Sequence, residues 1–88
     1  MITKEYTITA ADGLHARPAT KLIRLAKTFK SVTSLKKGDK VIKLNSMLNI
    51  LSLGLKGGDT ITINIEGDDE LDAGEAINKF FDKELKHL

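Results

Sequence analysis

Cysteine is missing from all 88 residues, so a disulfide framework, an iron–sulfur cluster, a thiolate zinc site and a cysteine nucleophile are excluded at once. Tryptophan is missing too, and one tyrosine with three phenylalanines makes up the whole aromatic content. Three of those four rings fall at positions that read as core, leaving almost nothing on which nucleic-acid bases would stack. No apolar run approaches the roughly 20 residues that cross a bilayer, so no membrane span is expected. The only histidines are His15 and His87. With carboxylates scattered through the chain they give no metal-ligand spacing, and neither metal nor cofactor is expected.

The residues that are present describe one soluble globular domain over 1–88, with 41% hydrophobic and 30% charged residues. A chain this short buries only about 60–65% of the surface its unfolded form exposes, so the core is thin and any active site must lie at the surface. The net charge of +2 hides an asymmetry. Residues 1–58 carry 11 Lys/Arg against 3 Asp/Glu, while residues 59–88 carry 3 against 9. A basic surface of that kind suits an acidic protein, a phosphate or nucleic acid, and the scarcity of aromatics argues against the last. The start, Met1-Ile2-Thr3-Lys4-Glu5-Tyr6, has neither the basic flank nor the apolar stretch of a secretory signal, so a cytoplasmic protein is expected.

Thr60-Ile61-Thr62-Ile63-Asn64-Ile65-Glu66 alternates isoleucine with polar residues, the pattern of a strand with one face buried. Ile2, Tyr6 and Ile8 share parity, as do Ile42 and Leu44, and predict two more strands. Residues 32–37 predict a fourth, joined to the next through a turn at Lys37-Gly38-Asp39-Lys40. Helical spacing takes over at Ala19, Leu22, Ile23, Ala26 and Phe29, which predicts an amphipathic helix from about 16 to 28. A second, short helix is predicted after Ser46, ended by Gly57-Gly58. A third runs from about 70 to 84, with Asp68 and Asp69 placed to cap its first N–H groups. Gly74 inside it costs about 1 kcal/mol relative to alanine. The order predicts an α+β fold: a four-stranded, mostly antiparallel sheet covered on one face by three helices.

The stretch Gly13-Leu14-His15-Ala16-Arg17-Pro18-Ala19 carries the chemistry. Proline is tolerated only in a helix's first turn, so Pro18 places His15 at the helix entrance. There the free N–H groups of Ala16 and Arg17 attract an anion, and the Arg17 guanidinium adds a fork that matches phosphate oxygens. A neutral imidazole beside such a cradle is a nucleophile suited to carrying a phosphoryl group on nitrogen. An arbitrary histidine here would more often be a plain surface cap, and spacing alone leaves both readings open.

Gly13-Leu14-His15-Ala16-Arg17-Pro18-Ala19-Thr20 resembles the active-site signature of the HPr family, the histidine-containing phosphocarriers of the bacterial phosphoenolpyruvate-dependent phosphotransferase system. The resemblance spans the chain, through Asn45-Ser46, Ser52-Leu53-Gly54-Leu55 and Ile65-Glu66-Gly67-Asp68-Asp69-Glu70. It implies an open-faced βαββαβα sandwich whose His15 is phosphorylated on Nδ1, as a pros-phosphohistidine, by enzyme I. It also implies onward transfer to an enzyme IIA domain of the sugar phosphotransferase system, with Arg17 steadying the phosphate. Such a carrier is a substrate of enzyme I rather than an independent enzyme.

Ser46 keeps two readings: a helix N-cap on physical grounds, and, by the resemblance, a regulatory phosphoserine made by an HPr kinase/phosphorylase. Asn45 and Asn49 depart from the lysine and glycine common in the regulated relatives. Asparagine before the serine is similar to the nitrogen-related branch, whose output is regulatory, and that branch is the alternative pathway. Met47, Leu48 and Leu51, with Thr20 and Arg24 alongside, are implied to face partners around the histidine. Nothing in the sequence demands an oligomer, and a monomer is expected.

Overall fold

Alternation in Thr60–Glu66 works as the sequence predicts: Ile61, Ile63 and Ile65 are all buried, while Thr60 and Glu66 remain exposed. The computed structural model describes residues 1–10 and 13–85. Its strands are β1 (Ile2–Thr7), β2 (Val32–Lys37), β3 (Lys40–Lys43) and β4 (Thr60–Glu66). They form one sheet in the order β1-β4-β2-β3, with every neighbouring pair antiparallel. Register follows the hydrophobic pattern. Ile2 and Tyr6 of β1 stand opposite Ile65 and Ile61, and Leu35 of β2 stands opposite Ile63 and Ile42. A slip of one residue would turn all of these side chains to the solvent face.

The helices are α1 (Ala16–Lys27), α2 (Met47–Ser52) and α3 (Glu70–Lys79), the last continuing as one π-helical turn over Phe80–Glu84. They lie on the isoleucine face, so the architecture is an open-faced α+β sandwich. Ala19, Leu22, Ile23 and Ala26 of α1 and Ala73 and Ile77 of α3 pack into the same core as Ile50 of α2. Phe80 is fully buried, and Phe81 stacks on Tyr6 with ring centroids 4.6 Å apart. The Tyr6 hydroxyl donates to Asn78 Oδ1 at 3.1 Å, tying the edge strand to α3. Gly74 is buried, and a Cβ there would come within 3.2 Å of Ile2 Cδ1. Its helix-weakening cost therefore has a packing return, a close seat for α3 on β1.

Two local expectations need correction. α2 ends at Ser52, not at Gly57-Gly58: Leu53 is the C-cap and Gly54 follows with φ +59°, a left-handed turn that stops the helix. Leu53 and Leu55 are buried through that turn rather than along a helical face. Asp69 sits at the N-cap of α3, but its side chain makes no cap bond there. Its carboxylate instead accepts from the backbone N–H groups of Lys30 and Ser31, at 2.7 and 2.8 Å, and from the Ser31 hydroxyl. These bonds join the end of the α1–β2 connection to the β4–α3 connection.

Candidate phosphoryl-acceptor site

His15 is the N-cap of α1, with φ −79° and ψ −172°, and its carbonyl accepts the Ala19 N–H at 3.0 Å. The imidazole makes no cap hydrogen bond, and the first turn of the helix holds no acidic residue. Among the described residues no carboxylate fills the positive end of this helix start, beside an imidazole that no cap bond engages. The residue is half-buried at the helix entrance. Pro18 behind it is fully buried and anchors the first turn to the core. Arg17 is exposed and lies within that turn, as the motif spacing predicts.

The loop before His15 is fixed by α2's exit. Gly13 has φ +71°, and a Cβ added there would overlap the Leu55 carbonyl and the backbone of Lys56. Only glycine fits that position. Leu14, buried next to it, donates its N–H to the Leu55 carbonyl at 3.3 Å. His15 therefore stands between a buried leucine and a buried proline. That mounting lets a surface side chain hold its direction.

Contact with α2 continues on the other side. The Thr20 hydroxyl lies 2.7 Å from the Ala16 carbonyl, to which it donates, and 3.0 Å from Met47 Sδ. Ser46 caps α2, accepting the Asn49 N–H on its hydroxyl at 3.4 Å, a long bond. Met47 and Leu51 are about two-fifths exposed and Leu48 is 78% exposed, whereas Ile50 and Leu53 of the same segment are buried. Arg24 is exposed two turns along α1 from Arg17. The arrangement brings Thr20 and Met47 into contact and joins the His15 loop to the exit of α2. Lys21, on the exposed face of α1, pairs with Glu84 at 3.0 Å.

A surface cleft of about 740 Å³ runs along α3 past Asp72, Glu75 and Asp82. His15 is half-buried and Arg17 exposed, so the site is reached from the surface, as a macromolecular partner requires. Among the described residues there is no group of three side chains able to hold a metal, and no helix is long and apolar enough to cross a membrane. Asp12, next to Gly13, and His87, the second histidine, lie outside the described residues. Sequence reasoning missed the Ser31–Asp69 junction, because no local pattern links residues 38 positions apart.

Comparison with known proteins points one way. Residues 2–83 match the PTS-HPr family, described as the PTS HPr component phosphorylation site. The phosphocarrier protein HPr of Lysinibacillus sphaericus is 38% identical over 77 residues, 88% of each chain. Among solved structures, a Mycoplasma histidine-containing phosphocarrier protein superposes with a TM-score of 0.90 at 32% identity, covering 97% of both chains. HPr-C-His from Thermoanaerobacter tengcongensis gives a TM-score of 0.91 at 32% identity, covering 97% of this chain and 96% of that one.

Proposed function

We propose, from the premise that the chain belongs to the HPr family of phosphotransferase-system phosphocarriers, that His15 accepts a phosphoryl group from phosphorylated enzyme I and passes it to enzyme IIA domains. The observation that carries this reading is the empty start of α1: an imidazole free of cap bonds, at a helix N-terminus with no acid in its first turn. In the proposed step the lone pair of neutral Nδ1 attacks phosphorus. An N–P bond forms as the donor's bond to phosphorus breaks, and the donor leaves with that electron pair. The free N–H groups at the helix start and the Arg17 guanidinium then face the phosphoryl oxygens, where each can donate a charge-assisted hydrogen bond.

The chain needs no chemistry of its own beyond that nitrogen, and in this reading it is a shuttled substrate in the cytoplasm rather than a catalyst. Thr20, Arg24, Met47, Leu48 and Leu51 supply the docking surface, apolar at its centre and basic at its rim. Ser46, at the edge of that surface, is the proposed acceptor for an HPr kinase/phosphorylase. The test is incubation of the full chain with phosphoenolpyruvate and enzyme I, followed by intact mass and acid treatment. One added phosphoryl group that acid removes is the expected result. An unmodified chain beside a control HPr that becomes labelled would overturn the reading.

A further inference from the structure

Away from His15 and from the exposed face of α2, the C-terminal end of α1 and the start of β2 meet the end of β3 around a cleft of about 350 Å³. That size is in the range of small-molecule sites. Its wall divides into two chemistries: Phe29 and Val32 are partly exposed apolar surface, while Lys27, Lys43 and Asn45 bring two ammonium groups and an amide from separate elements. Neither lysine is ion-paired among the described residues. Thr33, also in the wall, supplies an independent observation. It is 5% exposed, and its Oγ1 has no hydrogen-bond partner. Buried hydroxyls are nearly always paired, so an orphan beside a cleft marks a place where a partner fits.

The acceptors nearby, two carbonyls at the end of α1 and the Asp69 carboxylate, already take donors, and the two ammonium groups of the wall outnumber that one carboxylate charge. The Leu25 and Ala26 carbonyls at the end of α1 accept the N–H groups of Thr28 and Phe29. The Asp69 carboxylate, bonded to the Ser31 of the same wall, is occupied by Lys30 and Ser31 donors. We propose that this cleft binds a small organic anion, a phosphate monoester or carboxylate on a compact planar or apolar body. Lys27 and Lys43 hold its charge, Phe29 and Val32 its body, and the Thr33 hydroxyl donates at the inner end. The site shares no residue with the phosphoryl-acceptor site and does not rest on the phosphocarrier reading.

A backbone amide chemical-shift titration of the full chain with phenyl phosphate tests it, with phenol and inorganic phosphate as separate arms. Saturable shifts confined to residues 26–33 and 43–45 are expected, with phenyl phosphate binding about tenfold tighter than either fragment. Lys27→Gln together with Lys43→Gln should weaken phenyl phosphate about tenfold, as two charge-assisted contacts are lost. Thr33→Val keeps the side-chain shape and removes the orphan hydroxyl, so it should raise Tm while weakening binding. Shifts spread over every lysine, equal binding of phenol, or a Thr33→Val protein that binds like wild type would each overturn the proposal.

Discussion

The first turn of α1 holds no acidic residue and its cap side chain makes no cap hydrogen bond, whereas α3 begins with Asp69, Glu70 and Asp72 in close succession. Glu70 accepts the Gly67 N–H at 3.3 Å and pairs with the Met1 ammonium at 2.9 Å. Those two partners, the ammonium first, hold its carboxyl below the usual glutamate range. Asp69 is likewise held low, chiefly by the Ser31 hydroxyl and then by the Lys30 N–H. Both helices lie on one sheet and present the same dipole to solvent. In α3 the charge of those carboxylates offsets the positive end without a cap bond from Asp69, and in α1 no acidic residue stands in the first turn behind His15. The contrast separates a helix start built for stability from one kept available to an incoming anion.

Substituting one member of each pair sharpens the contrast. His15→Ala is expected to give the largest effect, complete loss of acid-labile phosphorylation, with thermal unfolding unchanged because its side chain caps nothing. Intact mass and a melting curve on one preparation would check both halves. A variant that still takes up phosphate places the acceptor elsewhere. Arg17→Ala should slow transfer by about one to two orders of magnitude, the scale of a lost charge-assisted contact of roughly 1.5–3 kcal/mol. Its Tm should match wild type, since the guanidinium is exposed. Unaltered single-turnover kinetics would remove Arg17 from the site.

At α3 the signs reverse. Asp69→Asn should lower Tm at neutral pH, because an amide accepts the three donors of Lys30 and Ser31 less well, while the rate of phosphoryl uptake stays unchanged. A carboxyl held low when folded contributes stability above its ordinary value of 3.8 and loses it as pH falls through that value towards the folded one. Wild type and Asp69→Asn should therefore differ in Tm at pH 7 and converge at acid pH. A gap that stays undiminished as pH falls well below 3.8 would show that shape, not charge, holds the junction.

Fold and site differ in how far the chain betrays them. The strand over 60–66 and the α1 stripe are legible because one short-range period decides them, and Pro18 and Gly13 locate the histidine for equally local reasons. The end of α2 is not legible. Leu53 and Leu55 continue the apolar spacing, and only the left-handed turn at Gly54 shows that they reach the core by another path. Asp69 reads as a cap since its type and position fit one, yet Ser31 outcompetes the helix for its carboxylate through a contact that only tertiary folding creates. Acid at the start of α3 is legible from Asp68 and Asp69, whereas the pairing of Glu70 with the Met1 ammonium appears only in the fold.

Ser46 lies between the two extremes, and its substitution carries the smallest effect. The α2 start is capped by a hydroxyl through a long 3.4 Å bond and has no acid in its first turn. Ser46→Asp puts a carboxylate at this helix start, as Asp69, Glu70 and Asp72 do at α3. Aspartate caps about as well as serine, and its charge suits a helix start, so Tm should stay level or rise by a few degrees, the response to a few tenths of a kcal/mol in a domain of this size. The same charge would stand beside Met47, whose sulfur meets Thr20 on the helix that carries His15. If enzyme I docks on that apolar surface, it must desolvate the new carboxylate, and uptake by His15 slows while the protein is at least as stable as before. Melting curves and transfer kinetics on Ser46→Asp separate the two roles. Wild-type kinetics in a well-folded variant would leave Ser46 as a cap and nothing more, and a fall in Tm would show that the hydroxyl's geometry, rather than its acceptor, starts α2.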